Sequence, residues 1–132
     1  MANEAILLIE MSSPIPMTCA DGAGIEKGTL LQLTDPMTVS ASSADNEISI
    51  GIAAAEKIAS DGVTKCPVYI DGIFRMKDSG AGVTAGDLLK IAGANLVATA
   101  DDAGAQGGKE VVGKALETAG ASETLAVLVG KQ

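Results

Sequence analysis

The sequence contains an internal repeat with a constant offset of 58 residues. Residues 22–33 recur as residues 80–91, and six of the twelve aligned positions are identical. Each copy reads Gly-Ala-Gly, then an aliphatic residue, a further glycine and a Leu-Leu pair, and a turn and a short strand-like segment follow it. Self-similarity at a fixed offset is typical of a duplicated supersecondary unit. The repeat therefore predicts a scaffold built twice, with the glycines serving a tight turn.

The later part of each copy favours β-strands. Ile48, Ile50 and Ile52 alternate with small or polar residues, which is a period of two. With Asp61-Gly62 as turn chemistry, residues 48–69 are predicted to form a long hairpin, and a short helix at 53–59 is the alternative. Pro67 in the return strand predicts an edge or a bulge. Two halves of five to six strands predict an all-β protein with a compact closed or partly open barrel.

Composition excludes several classes of partner. The 132-residue chain has a net charge of −8, one Phe, one Tyr and no Trp. It lacks both the basic surface of a duplex binder and the aromatic platforms of single-strand binders, so no nucleic-acid partner is expected. No apolar run reaches the roughly 18 residues of a membrane span, and no signal peptide is expected. Cys19 and Cys66 are expected to be small buried hydrophobes rather than a disulfide.

The motifs give little support for catalysis or for a bound cofactor. The spacing of Gly22, Gly24 and Gly28 misses the dinucleotide fingerprint by one residue, which favours turn chemistry over phosphate binding. The chain has no His, its two cysteines lack zinc spacing, and Asp101-Asp102 lacks the rest of a calcium-loop pattern. We therefore predict no metal, no cofactor and no enzymatic activity.

The segment before the repeat is the best candidate for function. We predict an N-terminal arm at residues 1–22 and a duplicated barrel domain at 23–132, with repeats at about 23–72 and 81–131. The arm is apolar and punctuated by proline, so it is a poor central strand. Such an arm either folds back as an edge strand or orders against a partner by strand addition, and both alternatives stay open. The predicted contact residues are Ile6, Leu8, Met11, Pro14, Ile15, Pro16 and Met17.

The order of these motifs resembles a known family. The apolar arm, the two Ala-Gly-[Ile/Val]-x-x-Gly-x-Leu-Leu motifs, the segment Val68-Tyr69-Ile70-Asp71-Gly72 and the terminal Leu-x-Val-Leu-Val run are similar to small capsid decoration proteins of tailed phages and related viruses. These are also called head-stabilising or cement proteins. The resemblance covers nearly the whole chain.

The resemblance implies a β-tulip, or β-clip-like, barrel that assembles as a homotrimer on the outer surface of an icosahedral head. It implies synthesis in the host cytoplasm, and it implies that the arm binds the major capsid protein.

Two rival functions remain open at this point. A β-clip module of the SAF-like group has a similar glycine and Leu-Leu pattern, and it would bind a small polar ligand such as a sugar acid. A weaker rival is a small enzyme that uses Asp71 or Asp87 with a lysine. The sequence disfavours both, because neither an aromatic platform nor a convergent polar cluster is visible.

Overall fold

The computed structural model describes residues 3–100 and 109–130, which form eleven β-strands and no helix. In chain order the strands are β1 (Ile6–Ile9), β2 (Ile15–Thr18), β3 (Leu30–Asp35), β4 (Thr38–Ala41), β5 (Ser49–Ala53), β6 (Lys65–Tyr69), β7 (Gly72–Asp78), β8 (Leu88–Gly93), β9 (Leu96–Thr99), β10 (Val111–Ala115) and β11 (Thr124–Val129). No helix long and apolar enough to cross a membrane occurs in these ranges. The all-β prediction is confirmed, and the alternative helix at 53–59 does not form.

The first half of the chain closes into a five-stranded barrel with the order β2-β4-β3-β5-β6. Its pairs are antiparallel except β2–β4, which is parallel and consists of the single pair Thr18↔Thr38. Small and aliphatic side chains such as Leu31 and Val68 fill its interior. Cys19 and Cys66 are buried in the same cluster as free thiols, as predicted.

The second half forms an equivalent ring. Strands β7, β11, β10, β8 and β9 are neighbours in that order, and parallel pairing of β7 with β9 closes the ring. β1 is added outside this ring, antiparallel to β7. Phe74, Leu89, Leu125 and Val127 lie in the core of this second barrel. The compact β-barrel fold predicted from the sequence is therefore confirmed.

The two barrels are built in the same way, residue for residue. Ile25 bridges to Lys57 in the first, and Val83 bridges to Ala119 in the second. β2 and β7 are equivalent as well. β2 pairs in parallel with β4, and β7 pairs in parallel with β9. The first barrel therefore begins at Ile15, inside the segment 1–22 that was predicted as the arm. The duplicated unit is one complete barrel.

The barrels share a buried contact. Leu30 and Ile52 of the first barrel are fully buried in the core cluster of the second. Across the same contact, the Leu30 N–H donates to Asn95 Oδ1 at 2.8 Å. The rings of Tyr69 and Phe74 meet edge to face, with centroids 5.6 Å apart. One face of the first barrel is thus covered by the second.

The predicted hairpin at 48–69 forms, with a long connection between its strands. β5 pairs with β6 at Ile52↔Tyr69 and Ala53↔Val68. The expectation that Pro67 marks an edge or a bulge is wrong, because β6 pairs with both β2 and β5 without a register shift. Pro67 lies opposite Pro16, and its carbonyl oxygen accepts from the Ala54 N–H at 2.9 Å. β6 therefore does not need a main-chain N–H donor at Pro67.

Candidate functional site

Carboxylates of the protein itself bind backbone donors at glycine turns: Asp78 does so within the second copy of the repeat, and Asp21 does so at Gly62, outside the first copy. In the second barrel, Asp78 is fully buried and its Oδ2 accepts from the N–H groups of Gly80 and Gly82, at 2.9 and 2.8 Å. In the first barrel, Asp21 Oδ1 accepts from the Gly62 N–H at 2.7 Å. In the second copy, the backbone donors that could cradle a phosphate already have an anionic partner. The turns are folding elements, as the sequence indicates.

Lys57 is a buried cation in the first barrel, and its ammonium group has a full set of partners. Its Nζ lies 2.9 Å from Asp61 Oδ1, 3.2 Å from Asp21 Oδ1, and 2.9 and 2.7 Å from the carbonyl oxygens of Asp21 and Ile58. Burial alone lowers the pKa of Lys57, but the hydrogen bonds and charges of Asp61 and Asp21 outweigh it and raise the pKa. A protonated ammonium whose donors are all hydrogen-bonded stabilises the fold and does not act as a nucleophile.

The candidate carboxylates of the enzyme hypothesis have local structural roles. Asp71 Oδ1 accepts from Ser12 Oγ at 2.6 Å, and Asp87 Oδ2 accepts from the Thr84 N–H and from Thr99 Oγ1. Cys66 is no better placed for chemistry, because burial, and then the neighbouring Cys19, raise the pKa of its thiol to about 11. Within residues 3–100 and 109–130, no group of three or more His, Cys, Asp or Glu could hold a metal ion. Asp101 and Asp102 lie outside the described residues.

The groove between the barrels does not suit a sugar acid. It has a volume of about 400 Å³ and lies between the barrels, where Ile15, Met37, Ile50 and Val129 are among its lining residues. Among the described residues that line it, Ser49 is the one with a polar side chain, and none has a charged side chain. A carboxylate ligand needs a cation or several directed donors, because an unpaired charge is costly to bury. A second groove is lined by Glu26 and Glu56, which would repel such a ligand, and by Lys57, whose ammonium already binds Asp21 and Asp61.

The N-terminal strand, by contrast, presents an unpaired edge. β1 pairs with β7 at Ile6↔Arg75, Leu7↔Phe74 and Ile9↔Ile73. Among the strands of the described residues, it alone has a single ladder partner. An open strand edge carries unpaired N–H and C=O groups that can pair with another chain. Of the two alternatives for the arm, folding back as an edge strand is the one that this structure contains, and it leaves the outer edge available.

A bulge determines which side chains of β1 face outward. The register shifts between Leu7 and Ile9, so Leu8 is the extra residue and Ile9 takes the outward place opposite Ile73. Ile6, Leu8 and Ile9 are 61, 44 and 55% exposed. Leu7 instead packs against the core of the second barrel. Ile9 was missed from the sequence, because four consecutive aliphatic residues give no alternation to follow.

Some of the other predicted contact residues lie on the surface, and others lie in the first barrel. Met11 and Pro16 are exposed, and Met11 is 57% exposed. Pro14 and Ile15 are half-buried. Met17 is buried, and it lies opposite Cys66 in the interior of the first barrel. The structure therefore brings together Ile6, Leu8 and Met11 on the surface and assigns Met17 to a core.

Two hydrogen bonds fix the arm to the first barrel. The Ala5 N–H donates to Gly28 O at 2.7 Å, and Ser12 Oγ donates to Asp71 at the other end of the arm. Gly28 has a φ of +88°, and a Cβ there would come closer than 3.0 Å to Ala5 O. A glycine at this position therefore allows β1 to pass close to the first barrel.

Two fused barrels with an exposed aliphatic strand edge define a structural protein that acts through its surface. The chain belongs to the phage cement protein family, whose sequence model matches residues 9–130. No curated protein matches the sequence significantly. Among solved structures, the fold is similar to the head fiber gp8.5 N base of bacteriophage phi29, with a TM-score of 0.54 and 18% identity over 90% of this chain and 93% of that chain. The resemblance to capsid decoration proteins is confirmed, and the protein is a phage structural protein associated with the capsid of the virion.

Proposed function

We propose that this protein binds the major capsid protein on the outer surface of an icosahedral phage head and stabilises the shell. The observation that carries the proposal is the free edge of β1, with Ile6, Leu8 and Met11 exposed beside it. In strand addition, main-chain hydrogen bonds supply affinity and alternate side chains fix the register. Both requirements are present within one short segment.

The charge of the chain supports contact outside the shell. With a net charge of −8, the protein is repelled by the packaged genome and suits the outer face of a head. The exposed contact residues Ile6, Leu8 and Met11 are uncharged, so we expect binding to depend on apolar burial and strand pairing, although Glu10 is exposed beside them. We expect the affinity to change little with salt, because screening acts on charged contacts.

The proposed assembly is a homotrimer, formed from chains synthesised in the host cytoplasm. Three copies present three β1 edges to neighbouring capsid subunits, and linked contacts gain avidity beyond that of one edge. Many such clamps on a lattice allow a modest interface to resist internal pressure collectively.

Sedimentation with expanded, undecorated heads tests the proposal. The informative variant is Ile6→Lys with Leu8→Lys, which keeps the backbone of β1 and removes its aliphatic contacts. The matched control is Ile58→Lys with Val63→Lys, since these side chains are 63 and 45% exposed on the first barrel. We expect wild type and control to sediment with the heads, and the arm variant to bind at least about tenfold more weakly, because two aliphatic contacts are lost.

Truncation gives a second measurement. A chain that begins at Ser12 lacks β1 but retains β2, which the first barrel needs for closure. We expect this chain to remain folded and to lose head binding. The proposal is wrong if wild type fails to sediment with heads at any salt concentration. Equal binding by the arm variant and wild type would instead show that other surfaces make the contact.

A further inference from the structure

The second barrel has an exposed aliphatic surface beyond the arm. One row of outward side chains crosses five neighbouring strands through successive ladder partners, and a second row lies beside it. The first row is Leu88, Lys114, Leu128, Ile73 and Ile9. The second row contains Leu116, Ala126 and Arg75, of which Ala126 is buried, and the Leu116 N–H donates to Ala126 O. We call these two rows the open face.

The open face is apolar where most barrel exteriors are polar. Leu88 and Leu116 are each 42% exposed, and Leu128 and Ile73 are half-buried. A contiguous apolar surface of this kind on a soluble protein marks an interaction site more often than single exposed residues do.

The repeat supplies an internal comparison for this surface. In the first barrel, Leu30, Ile52 and Tyr69 are ladder partners in the same positions as Leu88, Lys114 and Leu128 in the second. Leu30 and Ile52 are fully buried, because the second barrel packs over them. Leu88 is 42% exposed instead, because no further barrel of the chain packs over it.

The contact that covers Leu30 shows which segment is equivalent to the covering turn. The turn between β8 and β9 lies against Leu30, and Asn95 at its tip accepts the Leu30 N–H. The equivalent turn of the first barrel, between β3 and β4, carries Met37, which is 55% exposed and has the same positive φ as Asn95. Repeated units of this kind bury their faces by stacking on equivalent neighbours. Met37 is therefore the residue that corresponds to the covering position.

Charge also favours another copy of this chain. Lys114 is an exposed cation at an outward position of the open face, where Arg75 is already paired with Glu117 at 3.4 Å, and the whole chain has a net charge of −8. Asp35 is exposed on the turn that carries Met37. An acidic turn meeting a cationic apolar face is complementary in sign.

We propose that the open face binds the β3–β4 turn of a second copy of this chain, with Met37 of one copy against Leu88 of the next and Asp35 near Lys114. The contact repeats between copies the packing that joins the two barrels within one chain. It is heterologous, so it closes into a ring when the rotation between copies allows closure. This inference deepens the self-association in the proposed function and does not depend on head binding.

The test is the mass of the purified full-length chain, measured by light scattering after gel filtration in the absence of heads. We expect wild type to have a mass that is a whole multiple, greater than one, of 13.1 kDa. Leu88→Lys and Met37→Lys should each give monomers. Ile58→Lys, the matched control on another exposed aliphatic residue, should keep the wild-type mass.

A charge exchange tests the pairing itself. Lys114→Glu and Asp35→Lys should each shift the equilibrium toward monomer, and the double variant should restore association. Circular dichroism and a thermal melt check that each variant is folded, and Leu88→Ser gives a smaller change at the same position. A monomeric wild type at all concentrations would overturn the inference.

Retention of the oligomer by Leu88→Lys would also overturn it. If that variant keeps its mass but loses head binding, the open face contacts the shell and not a second copy. Failure of wild type to bind heads refutes the proposed function but leaves the mass measurement unaffected, so the two failures are distinguishable.

Discussion

Asn95 Oδ1 in the second barrel accepts a hydrogen bond from the Leu30 N–H of the first barrel at 2.8 Å, and both residues are buried. The main-chain N–H of Asn95 in turn donates to Ser42 Oγ at 3.0 Å. Substitution of Asn95 therefore acts at the contact between the barrels. Since a buried donor without a partner costs about 1–3 kcal/mol, this side chain matters more than its place in a turn indicates.

The variant that isolates this bond is Asn95→Gly. Asn95 has a φ of 58°, which glycine adopts without strain, so the substitution removes the acceptor and leaves the backbone relaxed. We expect the free energy of unfolding to fall by about 1–3 kcal/mol in denaturant titrations. Ser60→Gly is the control, since Ser60 has a φ of 61° and is exposed. A similar loss in both variants would contradict the role of the bond.

Gly51 and Gly113 are equivalent positions at which the barrel wall leaves no room for a side chain. A Cβ at Gly51 would come closer than 3.0 Å to Tyr69 O, and one at Gly113 would come as close to Leu128 O. Both obstacles are backbone atoms of the neighbouring strand. We expect Gly51→Ala and Gly113→Ala each to destabilise the protein by about 3 kcal/mol or more, because overpacking against backbone forces strands apart.

Gly22→Ala provides the comparison, because a Cβ at Gly22 meets nothing within 4 Å. Thermal melts followed by circular dichroism should show a large drop in Tm for the two wall variants and little change for this one. Equal melting of all three variants would show that the strands can separate at Gly51 and Gly113 without cost.

The repeat made the architecture predictable, but not the different environments of its two copies. Leu30 and Leu88 occupy the same place in the two copies of the motif, yet one is buried and the other 42% exposed. They differ because the second barrel covers Leu30, and the local sequence contains no sign of this contact. The surface of the arm was predictable in part, since Ile6 and Leu8 are exposed as expected. The bulge that turns Ile9 outward could not be predicted, because an unbroken aliphatic run contains no signal for it.

The position of β2 shows that the rule against proline in central strands misleads a prediction from the sequence here. Pro14 and Pro16 argue against a central strand, yet residues 15–18 form a wall of the first barrel. This wall tolerates proline because β2 meets β4 at a single pair, so few donors are required on that side. Met17 could not be assigned to a core from the sequence, because that assignment depends on closure of the barrel.

The thiol of Cys66 is expected to be unreactive in the folded protein. Burial, and then the adjacent Cys19, raise its pKa to about 11, so the reactive thiolate is scarce at pH 8. Ellman's reagent at pH 8 should label neither Cys66 nor the buried Cys19 until denaturant is added. Ala121→Cys places a thiol at an exposed position and should add one rapidly labelled group. Rapid labelling of the wild-type protein under native conditions would contradict this expectation.

The ion pair between Lys57 and Asp61 should make stability depend on acid pH. The hydrogen bond from Lys57, followed by that from the Val63 N–H, lowers the pKa of Asp61 below its ordinary value of 3.8. Because the folded state favours the ionised carboxylate, this stabilisation is present above about pH 4 and is lost as the pH falls through the lowered pKa. Asp61→Asn should therefore be less stable than wild type at pH 7, and the difference should shrink steadily below pH 4. Glu10→Gln, at an exposed carboxylate outside this cluster, is the control. The decisive measurement is the free energy of unfolding against pH for all three proteins, and a constant difference between Asp61→Asn and wild type down to pH 2 would refute the ion-pair account.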